Sequence, residues 1–218
     1  MSLLLDLGVD QLRGGTWAFT DMGTATNAHI HHSRKPVALA AYTMVNPLFA
    51  AGRFPSYILT DLVDQMPCLD SNEYAALAMV CGAPAPAQTF SEGQQEVFGE
   101  TLLQVIDEYG LEGCFERVPA WAGPGLHFTV RPRGYAWDGV SPISDTLRDM
   151  RKCYKGMTEV KKIMVLTIIH LYSQGPDRHF LRGVRQTKFH AAYAIDTLRN
   201  NGSALATWGQ LVSNYAGW

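Results

Sequence analysis

The sequence predicts a mainly α-helical protein with a minor β component, folded either as two helical lobes or as one compact domain. Several segments carry apolar residues at helical spacing, and glycines and prolines separate these segments from one another. One stretch rich in Gly, Pro and Trp interrupts the helical pattern and contains a strand candidate. The length of 218 residues allows one large domain or two small ones.

The first third of the chain predicts short elements joined by loops. In order, these are a helix over 1–14, a loop or short strands over 16–35, and helices over 36–44, 56–66 and 70–81. The strongest pattern follows at 91–109. It opens with a sequence that resembles a capping box, continues with apolar residues on one face, and stops at Gly110.

The Pro- and Gly-rich stretch is the expected boundary between lobes, because the charge of the chain changes sign across it. Residues 126–130 read as a short strand within it. We therefore expect an acidic, mostly helical lobe over 1–118, a connecting segment over 119–142 and a basic helical lobe over 143–218. The predicted helices of the basic lobe cover 144–155, 158–172, 178–199 and 204–215.

The distribution of charge is more informative than the net charge of −2. Residues 1–130 carry five basic and fourteen acidic side chains, a net charge of −9, whereas residues 131–218 carry thirteen basic and six acidic ones, a net charge of +7. A basic region of this strength predicts a polyanionic partner, or the acidic surface of another copy of the chain.

The basic side chains of the last third are the predicted nucleic-acid-binding residues. Arginine forms forked, charge-assisted contacts with phosphate, and lysine supplies a compact positive charge. On a helical wheel of 178–199, five of them fall within roughly a third of the circle, so we expect a row of cations along one helix face. The full set is Arg131, Arg133, Arg148, Arg151, Lys152, Lys155, Lys161, Lys162, Arg178, Arg182, Arg185, Lys188 and Arg199.

Aromatic residues are interleaved with these cations. Tyr154, Tyr172, Phe189 and Tyr193 are therefore expected either to stack on unpaired bases or to pack in the core. The sequence 131–137 places two arginines beside two aromatic rings, which fits either a loop that reaches a nucleic-acid strand or a turn pinned to the core.

The sequence His29-Ile30-His31-His32 is the one candidate for metal chemistry. In an extended backbone His29 and His31 lie on the same side, which suits two ligands of one metal ion, with His127, Asp61 or Asp64 as a third ligand. A surface loop with three histidines explains the same residues, and the sequence has no phosphate loop, HExxH or GxSxG motif. We therefore predict no resident cofactor.

The four cysteines are widely spaced and form no CxxC pair, which predicts buried free thiols in a reducing compartment. No secretory signal or membrane span is recognisable, so an intracellular location or a place inside a viral particle is expected.

Three functions remain open at this point. The first is a self-assembling structural protein of the nucleocapsid or coat type, which binds nucleic acid, RNA rather than DNA, and other copies of itself. The second is a small metal-dependent enzyme that uses the His29–His32 segment. The third is a scaffold protein that self-associates by charge complementarity without nucleic acid.

Overall fold

A computed structural model describes residues 9–11, 17–19, 58–63, 71–84, 86, 92–120, 123, 125–136, 141–175 and 177–218. Within them the helices are α1 (Leu59–Val63), α2 (Ser71–Cys81), α3 (Glu92–Tyr109), α4 (Ser144–Gly156), α5 (Glu159–Ser173), α6 (Ala191–Arg199) and α7 (Ala204–Ser213). The strands are β1 (Val9–Gln11), β2 (Trp17–Phe19), β3 (Phe115–Arg117) and β4 (Val130–Pro132). The predicted fold class, mainly α with a minor β component, is confirmed.

The contacts within the chain divide it into two compact units. The first comprises residues 1–86 and 189–213, and the second comprises residues 87–188 and 214–218. The predicted division at 119–142 rests on charge, a different property of the chain, and it stays a prediction.

The first unit begins with a hairpin. Strand β1 pairs antiparallel with β2, and Asp10 lies opposite Ala18. The helix predicted over 1–14 is therefore wrong at 9–11, because these backbone groups pair with a neighbouring strand. The short strand expected within 16–35 is confirmed at β2, whereas the predicted helix at 36–44 lies outside the described residues.

The helices of the first unit pack around small residues. Helix α7 lies against α2 at a close approach, since a Cβ built on Gly209 would overlap the side chain of Cys81. Helix α6 packs on α1 and α7. The N–H of Leu59 donates to the carbonyl of Phe189 at 2.8 Å, which joins the start of α1 to the residues just before α6.

Two helices end where the sequence predicts, at glycines with left-handed backbone. Gly82 (φ +74°) follows α2, and Gly110 (φ +58°) follows α3. At each end the N–H of the glycine and that of the next residue bond back to carbonyls of the last turn, for example Leu111 to Ile106 at 2.9 Å. A residue with a side chain adopts this backbone only with strain.

Helix α5 is the core of the second unit, because the ten residues from Lys162 to Leu171 are all buried. Helices α3 and α4 each contribute one apolar face. Phe98, Leu102 and Val105 of α3 are fully buried, as are Met150 and Tyr154 of α4. The helices predicted at 91–109, 144–155 and 158–172 are therefore confirmed.

A second hairpin and a 3₁₀ turn complete this unit. Strand β3 pairs antiparallel with β4, and a 3₁₀ turn over Leu126–Thr129 precedes β4. The strand predicted over 126–130 is wrong except at Val130. A strand would send neighbouring side chains to opposite faces, whereas His127 and Phe128 are both buried.

The long helix predicted over 178–199 is also wrong in its first half. Residues 177–190 form turns and irregular backbone, and only α6 is helical. Gly183 (φ +78°) and Gln186 (φ +63°) adopt left-handed backbone, which a helix cannot contain. The final predicted helix is confirmed as α7. None of the described helices has the length and apolarity needed to cross a membrane.

Candidate nucleic-acid interface

Four basic residues form a stripe along the outer face of α4. Arg148, Arg151, Lys152 and Lys155 occupy positions i, i+3, i+4 and i+7, which places them on one side of the helix. The buried residues Leu147, Met150 and Tyr154 occupy the other side. The helical repeat thus separates the basic face from the buried face. We call the four cations, which share one surface, the α4 stripe.

The α4 stripe lines an open groove of about 490 Å³, together with Ser144 and Leu147. One of its cations has an acidic partner, because Arg148 Nη2 lies 3.0 Å from Asp145 Oδ1. Both side chains are well exposed, so this ion pair contributes little stability and leaves Arg148 accessible to another anion.

A loop with four more cations packs against this helix. We call residues 177–188 the arginine loop, because Arg178, Arg182, Arg185 and Lys188 are all exposed there. The carboxylate of Asp177 accepts hydrogen bonds from the N–H groups of residues 179, 180 and 181 at 2.7–2.9 Å. This is the role of a helix cap, but the backbone continues as a turn.

Side chains of α4 and α5 hold the arginine loop in place. The Arg151 guanidinium donates to the carbonyls of His179 and Phe180 at 2.8 and 2.7 Å. The hydroxyl of Tyr154 donates to the Gln186 carbonyl at 2.7 Å. The ammonium of Lys162 donates to Oε1 of the Gln186 side chain at 2.6 Å. The loop cations are therefore positioned relative to the α4 stripe by three side chains, Arg151 of the stripe, the buried Tyr154 of α4 and Lys162 of α5.

The two lysines of α5 have different surroundings. Lys162 is 6% exposed, so its ammonium faces the arginine loop, where it bonds Gln186, rather than solvent. Lys161 is half-buried and lines a second open groove of about 610 Å³ with Lys152. Because Lys152 borders both grooves, the basic surface extends from α4 to the start of α5.

Among the remaining cations predicted to bind nucleic acid, Arg131 is paired with an acidic residue on the neighbouring strand. Its Nε lies 2.6 Å from Oε1 of Glu116, its cross-strand partner in the β3–β4 hairpin, and the two side chains are only 19% and 26% exposed. Arg133 is exposed in the turn after β4. Arg199 is exposed at the end of α6, in the first unit.

The aromatic residues predicted to stack on bases are mostly in the core. Tyr154 is 0% exposed and Phe189 is buried, whereas Tyr172 is half-buried between Phe180 and Trp218. Tyr193 is 47% exposed and lies parallel to the Phe189 ring at 6.4 Å. In the second unit Tyr135 is buried edge-on against the rings of His179 and Phe180, so it packs beneath the start of the arginine loop.

The metal candidates give no assembled site in the part of the chain that the structure describes. His29, His31, His32 and Asp64 lie outside it, as does the side chain of Asp61. His127 is fully buried among Phe98, Phe128 and Trp218, and this burial lowers its pKa. In the described residues no group of three or more His, Cys, Asp or Glu side chains is arranged to hold a metal ion.

Cys81, Cys114 and Cys153 are free thiols, as the spacing predicts, and Cys68 lies outside the described residues. Burial raises the pKa of Cys81 to about 12, and burial also raises the pKa of Cys114. These two side chains are therefore protonated at neutral pH.

Sequence reasoning missed the contacts that build the basic surface. Gln186 receives both the Tyr154 hydroxyl and the Lys162 ammonium, yet nothing in its local sequence marks it. Asp177 lies just before the helix predicted over 178–199 and is a capping residue by type, but in the structure it caps a turn. Comparison with known proteins adds no relative, since no known family, curated protein or solved structure matches the chain.

Proposed function

We propose that this protein is a self-assembling structural protein that binds RNA, in the manner of a nucleocapsid or coat subunit. The observation that carries the proposal is the packing of the arginine loop against the α4 stripe, which places two sets of cations on one compact unit. The α4 stripe provides Arg148, Arg151, Lys152 and Lys155. The loop adds Arg178, Arg182, Arg185 and Lys188.

The stripe is unfavourable for the isolated helix. Pairs of like charges three or four residues apart each destabilise a helix by about 0.2–0.5 kcal/mol, and Asp145 and Asp149 offset only part of this. Phosphate groups in the groove would convert the repulsion into attraction. This argument supports a polyanion as the partner of the surface.

The dimensions of the stripe fit a few phosphates of one strand. From Arg148 to Lys155 the helix rises about 10 Å, so the stripe is long enough to contact only a few consecutive phosphates of one strand. One copy would bind weakly and without sequence preference, because phosphate contacts carry no base information. Several copies on one RNA would bind much more tightly than a single copy does. The proposal therefore joins RNA binding to self-assembly.

The test is RNA affinity as a function of salt. We expect the full-length protein to bind a fluorescent single-stranded RNA with an affinity that falls steeply between about 50 and 200 mM salt. Replacing Arg182, Arg185 and Lys188 with alanine should weaken binding equally for all RNA sequences. It should also reduce the slope of log affinity against log salt by about 0.7 for each phosphate that is no longer neutralised. The pair Lys152→Ala and Lys155→Ala should act in the same direction.

Arg117→Ala is the matched control, because Arg117 is an exposed arginine of the same unit whose side chain bonds Thr129 on the β hairpin. It should change affinity less, per charge removed, than either set. If all three variants lose the same affinity per charge, or if the wild-type protein binds no RNA, the proposed interface is wrong.

Light scattering and ultraviolet absorbance of the purified protein test assembly. Large particles that contain nucleic acid at low salt and lose it at high salt support the proposal. Particles that form without nucleic acid would favour a scaffold that assembles by charge complementarity. A monomer without nucleic acid, with bound metal, would favour the enzyme with the His29–His32 segment.

A further inference from the structure

Two of the free thiols lie side by side in the second unit. Cys114 precedes β3 and is 0% exposed, whereas Cys153 is half-buried on α4. The Cys114 thiol points at α4: it donates to the carbonyl of Met150, one turn before Cys153, at 3.9 Å. The neighbouring Cys153 thiol contributes to raising the pKa of Cys114, after the larger effect of burial. The pair bridges 39 positions of sequence, so tertiary packing alone brings the two sulfurs together.

Gly113 makes this approach possible. A Cβ built at this position would overlap the sulfur of Cys153 and lie 3.2 Å from its Cβ. The Cys153 side chain therefore rests against the backbone of the residue next to Cys114. This second contact places Cys153 beside Cys114 independently of the hydrogen bond from Cys114 to Met150.

The two sulfurs differ in access. Cys153 lines the groove of about 610 Å³ that Lys152 and Lys161 also border, so a small solute can reach it from solvent. Cys114 is covered by the surrounding core. An oxidant therefore meets Cys153 first, and Cys114 is placed to react only with Cys153.

We propose that Cys114 and Cys153 are a peroxide-sensitive thiol pair that closes to a disulfide. In the first step the thiolate of Cys153 attacks one oxygen of hydrogen peroxide and the O–O bond breaks. Cys153 becomes a sulfenic acid, and the departing hydroxide takes up a proton to form water. The sulfur has lost two electrons and the peroxide has gained them.

In the second step the sulfur of Cys114 attacks the sulfur of Cys153. The S–O bond breaks, and the hydroxyl group leaves with the thiol proton of Cys114 as a second water. One peroxide and two thiols thus give one disulfide and two water molecules. The product covalently joins the start of the β3–β4 hairpin to α4.

The test is peptide mapping of the full-length protein after hydrogen peroxide treatment, without reducing agent. Cleavage by trypsin together with a glutamate-specific protease separates all four cysteines, because Glu73, Glu112 and Lys152 each lie between two successive cysteines. We expect a linked peptide pair that contains Cys114 and Cys153, with a mass about 2 Da below the sum of the two thiol peptides. Dithiothreitol should release it. Cys81, which is buried in the other unit, should stay reduced.

Single variants separate the two roles. In Cys114→Ser, or in Cys114→Ala if serine disturbs the core, Cys153 should stop at the sulfenic acid and be captured by dimedone. In Cys153→Ser, Cys114 should remain a thiol under the same treatment. The proposal is overturned if the wild-type protein forms no linked pair while Cys153 oxidises to the sulfinic acid. It is also overturned if Cys114 oxidises as fast in Cys153→Ser as in the wild-type protein.

Discussion

Helix α4 and the arginine loop carry the same number of basic residues, but the two segments position them differently. In α4 the helical period alone puts Arg148, Arg151, Lys152 and Lys155 on one side. The arginine loop has no repeating backbone geometry, and its position depends on hydrogen bonds from Arg151, Tyr154 and Lys162.

The position of the loop therefore depends on contacts with the helix, whereas the position of the cations on α4 does not depend on the loop. Arg151 belongs to both sets, because it lines the groove of the α4 stripe and also bonds two loop carbonyls. We therefore expect changes beneath the loop to release it while α4 remains folded, and the following variants test that asymmetry.

The largest loss of stability is expected at Tyr154, a buried residue of α4 that also hydrogen-bonds the loop. Its ring is 0% exposed, so Tyr154→Ala should destabilise the fold by about 3–5 kcal/mol through the cavity it leaves. Tyr154→Phe removes only the hydroxyl that donates to the Gln186 carbonyl, and it should cost about 1 kcal/mol. Urea denaturation followed by circular dichroism measures both values. Equal decreases in stability in the two variants would show that the hydrogen bond to the loop, rather than the packing of α4, dominates.

A smaller, local effect is expected at Asp177. Asp177→Ala removes the acceptor of three loop N–H groups and should cost about 0.5–2 kcal/mol. If the lost stability appears as local opening of the loop, trypsin should cleave after Arg182 and Arg185 up to about tenfold faster. The reason is that about 1.4 kcal/mol corresponds to a tenfold change in the population of the open loop.

The control is Asp145→Ala on α4, whose carboxylate pairs with Arg148 while both side chains are well exposed. It should change stability by less than about 1 kcal/mol and leave cleavage of the loop unaltered. Asp177→Asn should fall between the two, because Oδ1 alone accepts two of the three hydrogen bonds. Slow cleavage in Asp177→Ala would show that the hydrogen bonds from α4 and α5 suffice to hold the loop.

Local patterns in the sequence predicted α4 and failed at the loop for a physical reason. Helix α4 follows from apolar residues at helical spacing and from a glycine at its end. The loop has apolar residues at the same spacing, Phe180 and Val184, and a capping aspartate before them. It is not a helix because Gly183 and Gln186 turn left-handed and bonds from α4 and α5 replace helical ones.

The residues of the candidate site could also be predicted from the sequence only in part. The identity of the cations and their exposure on α4 follow from sequence, since a polar stripe opposite an apolar one must face outward. The neutralised state of Arg131 does not follow, because its partner Glu116 is met only through the register of the β3–β4 hairpin. The burial of Lys162 also required the structure, since its neighbour Lys161 has the same local sequence but remains half-buried.

A small effect of either sign is expected at Lys162, the buried cation beneath the loop. Its ammonium bonds the neutral amide oxygen of Gln186. The free-energy cost of removing the charge from water is therefore offset by a single strong hydrogen bond. Lys162→Met keeps the length of the apolar stem and removes the buried charge. We expect the free energy of unfolding to change by less than about 1.5 kcal/mol, in either direction. Cleavage of the loop should rise slightly, because one of the hydrogen bonds that hold it is removed.

The reverse change tests the same hydrogen bond from the loop side. Gln186→Ala keeps the left-handed backbone but leaves the Lys162 ammonium buried without this acceptor, which should cost about 1–3 kcal/mol. The variant Lys162→Met combined with Gln186→Ala should recover most of that stability, since no buried charge then remains. If the double variant is instead as unstable as Gln186→Ala alone, the cost comes from the loop backbone and not from the stranded ammonium. In that case the loop would be held mainly by Arg151 and Tyr154 of α4, and the two basic segments would depend on a single helix.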